Sequence, residues 1–155
     1  MNRTSRGFAI VCTFVVGLPA SVAAQTLGQW TSGTPMPSAR SEVAVAAIAG
    51  KVYVVGGFGG GRQRAPMPNP RSGIAAAVLS GRILIFGGEA PSGTFDLVES
   101  YDPRRDSWTL ATPMPTARHG LGSVTVDGRV YVIAGGTRPG GSVSAHNEIF
   151  SRSKN

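Results

Sequence analysis

Residues 108–136 read WTLATPMPTARHGLGSVTVDGRVYVIAGG, and this stretch decides the fold. Two short β-branched runs, at 124–126 and 130–133, flank Asp127-Gly128, a dipeptide typical of a type I′ hairpin turn. The second run, VYVI, is apolar at every position, as expected for a strand buried on both faces. The stretch therefore predicts an antiparallel hairpin in the interior of an all-β protein.

Two further strand pairs of the same kind precede it. Their turns contain Ala49-Gly50 and Ser80-Gly81, and their second strands read VYVV and ILIF. The alanine-rich segment 38–49 is locally compatible with a helix, but its match to the valine-rich counterparts assigns it to a strand. Because glycine and proline interrupt nearly all of the chain after residue 24, long helices are not expected.

The three hairpins are copies of one unit in a fixed register. Each unit has Met-Pro, an arginine, a turn glycine and a small-residue pair, and every landmark recurs after 31 and then 47 residues. The landmarks are Met36, Arg40, Gly50 and Gly56; Met67, Arg71, Gly81 and Gly87; Met114, Arg118, Gly128 and Ala134. Agreement at four landmarks indicates internal repetition.

The repeated unit resembles the kelch repeat. The resemblance is carried by "WTSGTPMPSAR…GKVYVVGG" and "WTLATPMPTARHG…GRVYVIAGG", and it extends from Trp30 to Phe150. A kelch repeat of about 50 residues is one four-stranded blade of a β-propeller. By this resemblance, Glu99 and Tyr101 lie on the third strand of a complete blade, and Trp108 opens its fourth. We expect Trp30 and Trp108 to pack between neighbouring blades.

The spacing predicts an incomplete ring of about two to three blades within residues 25–155. Residues 30–61 form a shortened first repeat without two outer strands, 62–107 the second, and 108–155 an incomplete third. Propellers close with about four to eight blades, so this array leaves both end faces open. We expect the isolated chain to self-associate or to borrow strands from another chain.

Residues 1–24 resemble a secretory signal peptide. Arg3 and Arg6 precede an apolar run, and small residues at 22–24 form a cleavage site before Gln25. The run is too short to span a bilayer. Removal of this segment takes away Cys12, the only cysteine, and lowers the net charge from +7 to +5. We therefore expect a periplasmic or extracellular protein without disulfides or membrane insertion.

Arg40, Arg71 and Arg118 are the main candidates for ligand binding. In a propeller, equivalent positions of the blades would face the same end of the central channel, so all three side chains would converge there. The resemblance implies that arginines at this position line the ligand face of some kelch propellers. Guanidinium groups bind carboxylate, sulfate or phosphate bidentately. His119, beside Arg118, is a further candidate. The alternatives are a structural bond of each arginine within its blade and a surface-loop position for His119.

The sequence predicts no catalytic residue, cofactor or metal site. His119 and His146 are the only histidines, and neither has an acidic residue at ligand spacing. The Ser, His and Asp residues form no local catalytic signature. A basic cluster with interleaved aromatic residues is also missing, so nucleic acid is not an expected partner.

The leading hypothesis is an exported, non-enzymatic kelch-repeat module that binds a protein, with anionic glycans or acidic peptides as ligands. Two alternatives stay open. The chain is a fragment of a periplasmic kelch enzyme of the sialic acid mutarotase type, or it is a truncated gene product without independent function. The resemblance also includes copper radical oxidases, whose cofactor needs a Tyr-Cys crosslink. The sequence after residue 24 contains no cysteine for it.

Overall fold

The computed structural model describes residues 29–59 and 64–152. The predicted signal peptide at 1–24 lies outside the described residues. Gly61 also lies outside them; it stands six residues before Met67, where the other two repeats have Trp30 and Trp108. Within the described ranges the protein is all-β, and none of its segments forms a helix long and apolar enough to cross a membrane. All the strands belong to one compact unit, Pro35–Asn155.

Strands are short throughout the described part of the chain. They are β1 (Arg40–Ser41), β2 (Ala44–Ile48), β3 (Lys51–Val55), β4 (Phe58–Gly59), β5 (Ala75–Leu79), β6 (Arg82–Phe86), β7 (Glu89–Ala90), β8 (Gly93–Thr94), β9 (Val98–Asp102), β10 (Ser107–Ala111), β11 (Gly122–Val126), β12 (Arg129–Ile133) and β13 (Asn147–Ser151). The three predicted strand pairs are confirmed as β2-β3, β5-β6 and β11-β12.

These strands form three antiparallel blades that do not close a ring. Blade 1 is the pair β2-β3, blade 2 is the four-stranded sheet β10-β9-β6-β5, and blade 3 is the three-stranded sheet β11-β12-β13. The short pairs β1-β4 and β7-β8 lie beside them. The first strand of each blade is the innermost, and β5 lies between β2 and β11. The predicted third and fourth strands of the second repeat are confirmed as β9 and β10.

The three hairpin turns share one backbone conformation. Both central residues of each turn have φ between 48° and 75°, as a type I′ turn requires. These residues are Ala49-Gly50, Ser80-Gly81 and Asp127-Gly128. The left-handed first position costs a residue with a side chain some free energy, which the matching twist of the flanking strands offsets.

Blade 2 has an apolar cluster on each of its faces. Ile83 and Ile85 of β6 pack towards blade 1, and Leu84 and Phe86 pack towards blade 3. The prediction of strands buried on both faces is therefore confirmed for β6. It is wrong for β3 and β12, because each of them packs against a neighbouring blade on one face only.

Aromatic side chains pack where blade 1 meets the outer part of blade 2. The ring centroids of Trp108 and Tyr101 are 4.9 Å apart, and those of Tyr101 and Tyr53 of blade 1 are 6.1 Å apart. The indole Nε1–H donates to the carbonyl oxygen of Ala65 at 3.0 Å. The expected packing between blades is thus confirmed for Trp108. Trp30 belongs to a separate unit, Met1–Thr34, and its packing between blades stays a prediction.

Candidate functional site

The three motif arginines make one equivalent hydrogen bond. Each guanidinium donates to the backbone carbonyl that lies sixteen residues later, at the end of the hairpin in its own repeat. The bonds are Arg40 Nη1 to Gly56 at 3.1 Å, Arg71 Nε to Gly87 at 2.6 Å and Arg118 Nη1 to Ala134 at 2.9 Å. The arginine thereby ties the segment that enters each blade to the end of its second strand.

Two of these arginines also pair with a glutamate on the third strand of their blade. Arg71 Nη1 lies 2.5 Å from Glu99 Oε2, and neither side chain is exposed. Arg118 Nη2 lies 2.7 Å from Glu148 Oε2, with 0% and 17% of these side chains exposed. A buried charge is stable only when it is paired and hydrogen-bonded, so each pair fixes the third strand to the entry segment.

The geometry thus shows the structural bond that the sequence left open as an alternative. Arg71 and Arg118 point into their blades, and each contacts groups of its own repeat. The sequence contains a signal for this role, because Glu99 in VESY (98–101) and Glu148 in NEIF (147–150) occupy equivalent positions of their repeats. A ligand contact by Arg40, Arg71, Arg118 or His119 stays a prediction.

His119 bridges blade 2 and blade 3. Its Nδ1 lies 3.2 Å from Glu89 Oε1 on β7, and its Nε2 lies 3.0 Å from the carbonyl oxygen of Arg138. Glu89 also accepts from the backbone N–H of Gly140 at 3.2 Å. His119 is therefore a link between blades, more buried than a surface-loop histidine would be.

The glycine pair of blade 2 allows the backbone to approach this junction closely. Gly87 has φ +56°, and a Cβ there would lie 2.3 Å from the carbonyl oxygen of Arg118. That carbonyl accepts from the N–H of Gly88 at 2.8 Å. Gly87 and Gly88, at φ +56° and +112°, thus have backbone conformations that residues with a side chain rarely adopt.

A positively charged cleft lies at the opposite end of blades 2 and 3, where the hairpin turns are. It has a volume of about 490 Å³. We call it the arginine cleft and define it by Arg82, Arg104, Arg105, Arg152 and Asp102. Four arginines and one aspartate line the cleft, which leaves a local excess of positive charge.

Asp102 organises this cleft. Its Oδ1 accepts from the backbone N–H of Arg104 at 3.0 Å and of Arg105 at 3.3 Å, as in a turn held by its own aspartate. Its Oδ2 lies 3.3 Å from Arg82 Nη2 and 3.2 Å from Arg105 Nη1. The backbone bond from Arg104, helped by these cations, lowers the pKa of Asp102 below its ordinary value. The carboxylate therefore stays ionised and accepts the two backbone hydrogen bonds that fix this turn.

A second, mainly apolar groove adjoins the arginine cleft. It has a volume of about 210 Å³ and shares Arg82 and Arg152 with the cleft. Leu84, Leu110 and Phe150 contribute apolar walls, and 69% of Leu110 is exposed. A ligand that occupies both the cleft and the groove would contact guanidinium groups at one end and aliphatic and aromatic side chains at the other. We call the pair of depressions the composite groove.

The sequence alone did not point to the arginine cleft. The consecutive Arg104-Arg105 was a visible signal, and the pairing of Ile83 with Tyr101 places Arg82 beside Asp102 at the next position. Arg152 comes from blade 3, so only the packing of blades brings it there. Within the described ranges, moreover, the structure places no group of three or more His, Cys, Asp or Glu side chains where they could hold a metal ion.

Three antiparallel blades with adjacent inner strands define part of a β-propeller. The Kelch motif model matches residues 39–65 and 70–115, so the chain contains kelch motifs in these two segments. Among solved structures 119 chains match, including the structure of YjhT, with a TM-score of 0.58 and 22% identity. That match covers 68% of this chain and 36% of YjhT, and at this identity it shows the fold alone. No curated protein sequence matches the chain.

Proposed function

We propose that this chain is an exported kelch-repeat interaction module that binds acidic peptide segments of a partner protein through the composite groove. The single observation that carries the proposal is the arginine cleft, which four arginines and one aspartate line beside an apolar groove. Guanidinium groups bind carboxylates bidentately, which gives geometry as well as charge.

The apolar groove is the reason for preferring a peptide to a glycan. A peptide with acidic and apolar side chains in succession would place carboxylates against Arg104 and Arg152 and a hydrocarbon side chain against Leu110 and Phe150. A sulfated or carboxylated glycan offers the anions but has no hydrocarbon side chain for the groove. Anionic glycans are therefore the competing outcome of the experiment.

Export is part of the proposal and rests on the signal-like residues 1–24 together with the absence of cysteine from the sequence that follows. Outside the cytoplasm, ionic strength limits the reach of exposed charges to about 8 Å. Each guanidinium contact at a solvent-exposed site is worth about 0.2–1 kcal/mol. Binding is accordingly expected to be weak and to decrease as salt is added.

The test compares two double variants of the full chain that change the net charge equally. In the first, Arg104→Glu and Arg152→Glu reverse two exposed arginines of the cleft whose side chains make no hydrogen bond or ion pair with other described residues. In the matched control, Lys51→Glu and Arg138→Glu reverse two exposed cations outside the cleft. The probes are a labelled peptide of alternating Glu and Leu, its Lys-for-Glu counterpart and heparin.

We expect the wild-type chain to bind the Glu/Leu peptide and to bind its Lys-for-Glu counterpart far more weakly. Reversal of the two cleft arginines should weaken binding of the Glu/Leu peptide by a factor of about 10 to 100, since it replaces attraction by repulsion. The control variant should keep at least about a third of the wild-type affinity. An equal loss of peptide affinity in both variants would show that only net charge matters and would overturn the proposal. Binding of heparin without binding of the Glu/Leu peptide would favour a glycan ligand.

The motif arginines are tested in the same assay. Arg40, Arg71, Arg118 and His119 stay ligand contacts predicted from the sequence, which also predicts that charge reversal at the arginines weakens anion binding more than folding. The buried pairs of Arg71 and Arg118 favour the opposite order for these two residues. A lower unfolding midpoint for each single variant, with unchanged binding of the Glu/Leu peptide and of heparin, would assign them to the structural role that their hydrogen bonds indicate.

A further inference from the structure

Both end faces of the blade array expose apolar side chains. On blade 1 these are Val45, Val52 and Val54, which we call the head face. On blade 3 they are Val124, Val126, Ile133 and Ile149, which we call the tail face. Between 37% and 71% of each of these residues is exposed. Cross-strand pairing places each set on one side of its sheet, so each forms a continuous patch.

The repeat register shows what these faces correspond to inside the molecule. Val52 and Val54 precede Ile83 and Ile85 by the same 31 residues that separate the other landmarks. In blade 2, Ile83 and Ile85 belong to the apolar cluster shared with the preceding blade. The head face is therefore the surface with which a kelch blade contacts the blade before it.

The tail face is the other half of the same contact. Ile133 and Val124 follow Phe86 and Ala77 by 47 residues. Phe86 and Ala77 lie in the cluster that blade 2 shares with Val130 and Val132 of blade 3. Counted by the same offsets, Val130 and Val132 are the counterparts of Val52 and Val54. The internal contact between blades 2 and 3 is thus built from the positions that form the tail and head faces.

From this correspondence we infer that two copies of this chain associate head to tail, with the tail face of each packed on the head face of the other. The contact repeats the internal packing of blade 2 on blade 3 and continues it across a subunit boundary. A head-to-tail contact is heterologous, and it forms a ring when its rotation closes. Two copies with three blades each lie within the roughly four to eight blades with which propellers close.

The inference is independent of the proposed ligand. The composite groove lies between blades 2 and 3 of one copy, whereas the association uses the far sides of blades 1 and 3. Failure of peptide binding would leave the head-to-tail contact untouched, and the reverse also holds.

The test uses light scattering after size exclusion on the full chain, with one glutamate substitution on each face. We expect light scattering to give the wild-type protein a mass twice that of a single chain. Val52→Glu on the head face and Ile133→Glu on the tail face should each weaken association by at least about a hundredfold, because each buries an unpaired charge in both contacts of the ring. Val143→Glu is the matched control, since Val143 is 88% exposed and lies outside the strands of both faces.

A mixture of the two variants gives the decisive result. When a Val52→Glu copy meets an Ile133→Glu copy, one of the two contacts joins an intact tail face to an intact head face. Differently tagged variants should therefore form a mixed dimer that neither forms alone. Val45→Glu replaces Val52→Glu if the latter loses its strand circular dichroism.

Three results would overturn the inference. The first is a monomeric wild-type chain with a cooperative melt. The second is loss of association in one face variant only, which indicates a symmetric contact of one face with itself. The third is a mixture that stays monomeric at concentrations where wild type is fully associated.

Discussion

Replacing Glu99 by glutamine should destabilise the protein strongly, whereas the equivalent change at Glu148 should cost much less. Both glutamates lie on the third strand of their blade and pair with the motif arginine. They differ in their surroundings. The Arg71–Glu99 pair is completely buried, whereas 17% of the Glu148 side chain is exposed to water.

The expected magnitude follows from this difference in burial. Glu99→Gln keeps the shape and an acceptor oxygen, but it leaves the buried Arg71 guanidinium without a counter-charge. Breaking a buried pair in this way costs about 3–5 kcal/mol, and the retained acceptor places the change at about 3 kcal/mol. Partial exposure screens the Arg118–Glu148 pair, so about 1 kcal/mol is expected for Glu148→Gln. At roughly 2–4 °C per kcal/mol, the midpoint for Glu99→Gln should fall by about 10 °C.

The assay is thermal and urea unfolding followed by circular dichroism, with both single variants measured beside wild type. A third variant, Arg71→Met with Glu99→Leu, removes the charges together. It should be less destabilised than Glu99→Gln, because no buried charge is left unpaired. It should still lie below wild type, since the carbonyl oxygen of Gly87 loses the Nε–H donor that it accepts from at 2.6 Å.

Equal destabilisation by Glu99→Gln and Glu148→Gln would refute the burial argument. So would a Glu99→Gln variant as stable as wild type, since the pair would then contribute nothing at a site where neither side chain is exposed. Loss of peptide binding at full stability would instead return Arg71 to the ligand-binding role predicted from the sequence.

Three further predictions concern other parts of the chain. Gly87→Ala should lose about 2 kcal/mol more stability than Gly81→Ala in urea unfolding, because both have positive φ but only at Gly87 would a Cβ lie against a backbone oxygen; equal losses would contradict this reason. Burial, helped by a 2.5 Å hydrogen bond to Asp106, raises the pKa of Tyr101 from 10.0 to about 12. Stability from the neutral phenol is therefore complete below pH 10 and lost as pH rises through about 12, and Tyr101→Phe should flatten this part of the alkaline unfolding curve; an unchanged curve would show that other groups cause it. N-terminal sequencing of exported protein should begin at Gln25, and export with Met1 retained would count against the predicted signal.

The blades could be predicted because their determinants are local or periodic. Gly50, Gly81 and Gly128 mark turns whose conformation follows from two residues, and the register of 31 and 47 residues places each turn in an equivalent hairpin. The burial of whole strands was harder to predict. VYVV and ILIF look alike as sequence, yet only ILIF has a blade on both of its sides.

The candidate site was harder to predict. A repeat shows that residues occupy equivalent positions, but it does not show where their side chains point. The repeat singles out the motif position of Arg71 and Arg118, but the sequence does not show whether a guanidinium points into the blade or towards the axis. The direction depends on Glu99 and Glu148, which the chain brings within 2.5 Å and 2.7 Å only after the third strand has paired. A charged partner at 28 or 30 residues' separation is visible in sequence only once the repeat is aligned.

A repeated position is suited to a structural role, whereas a binding site needs positions that differ between repeats. Each repeat has a basic residue directly after its turn glycine: Lys51, Arg82 or Arg129. In blade 3, Arg129 lies opposite Ser151, whereas in blade 2 Arg82 meets Asp102. Asp102 holds the turn that carries Arg104 and Arg105. Because this aspartate is not repeated, the basic residue after the turn glycine lines a cleft in blade 2. The composite groove thus arises where the repeats diverge, and the buried arginine–glutamate pairs arise where they agree.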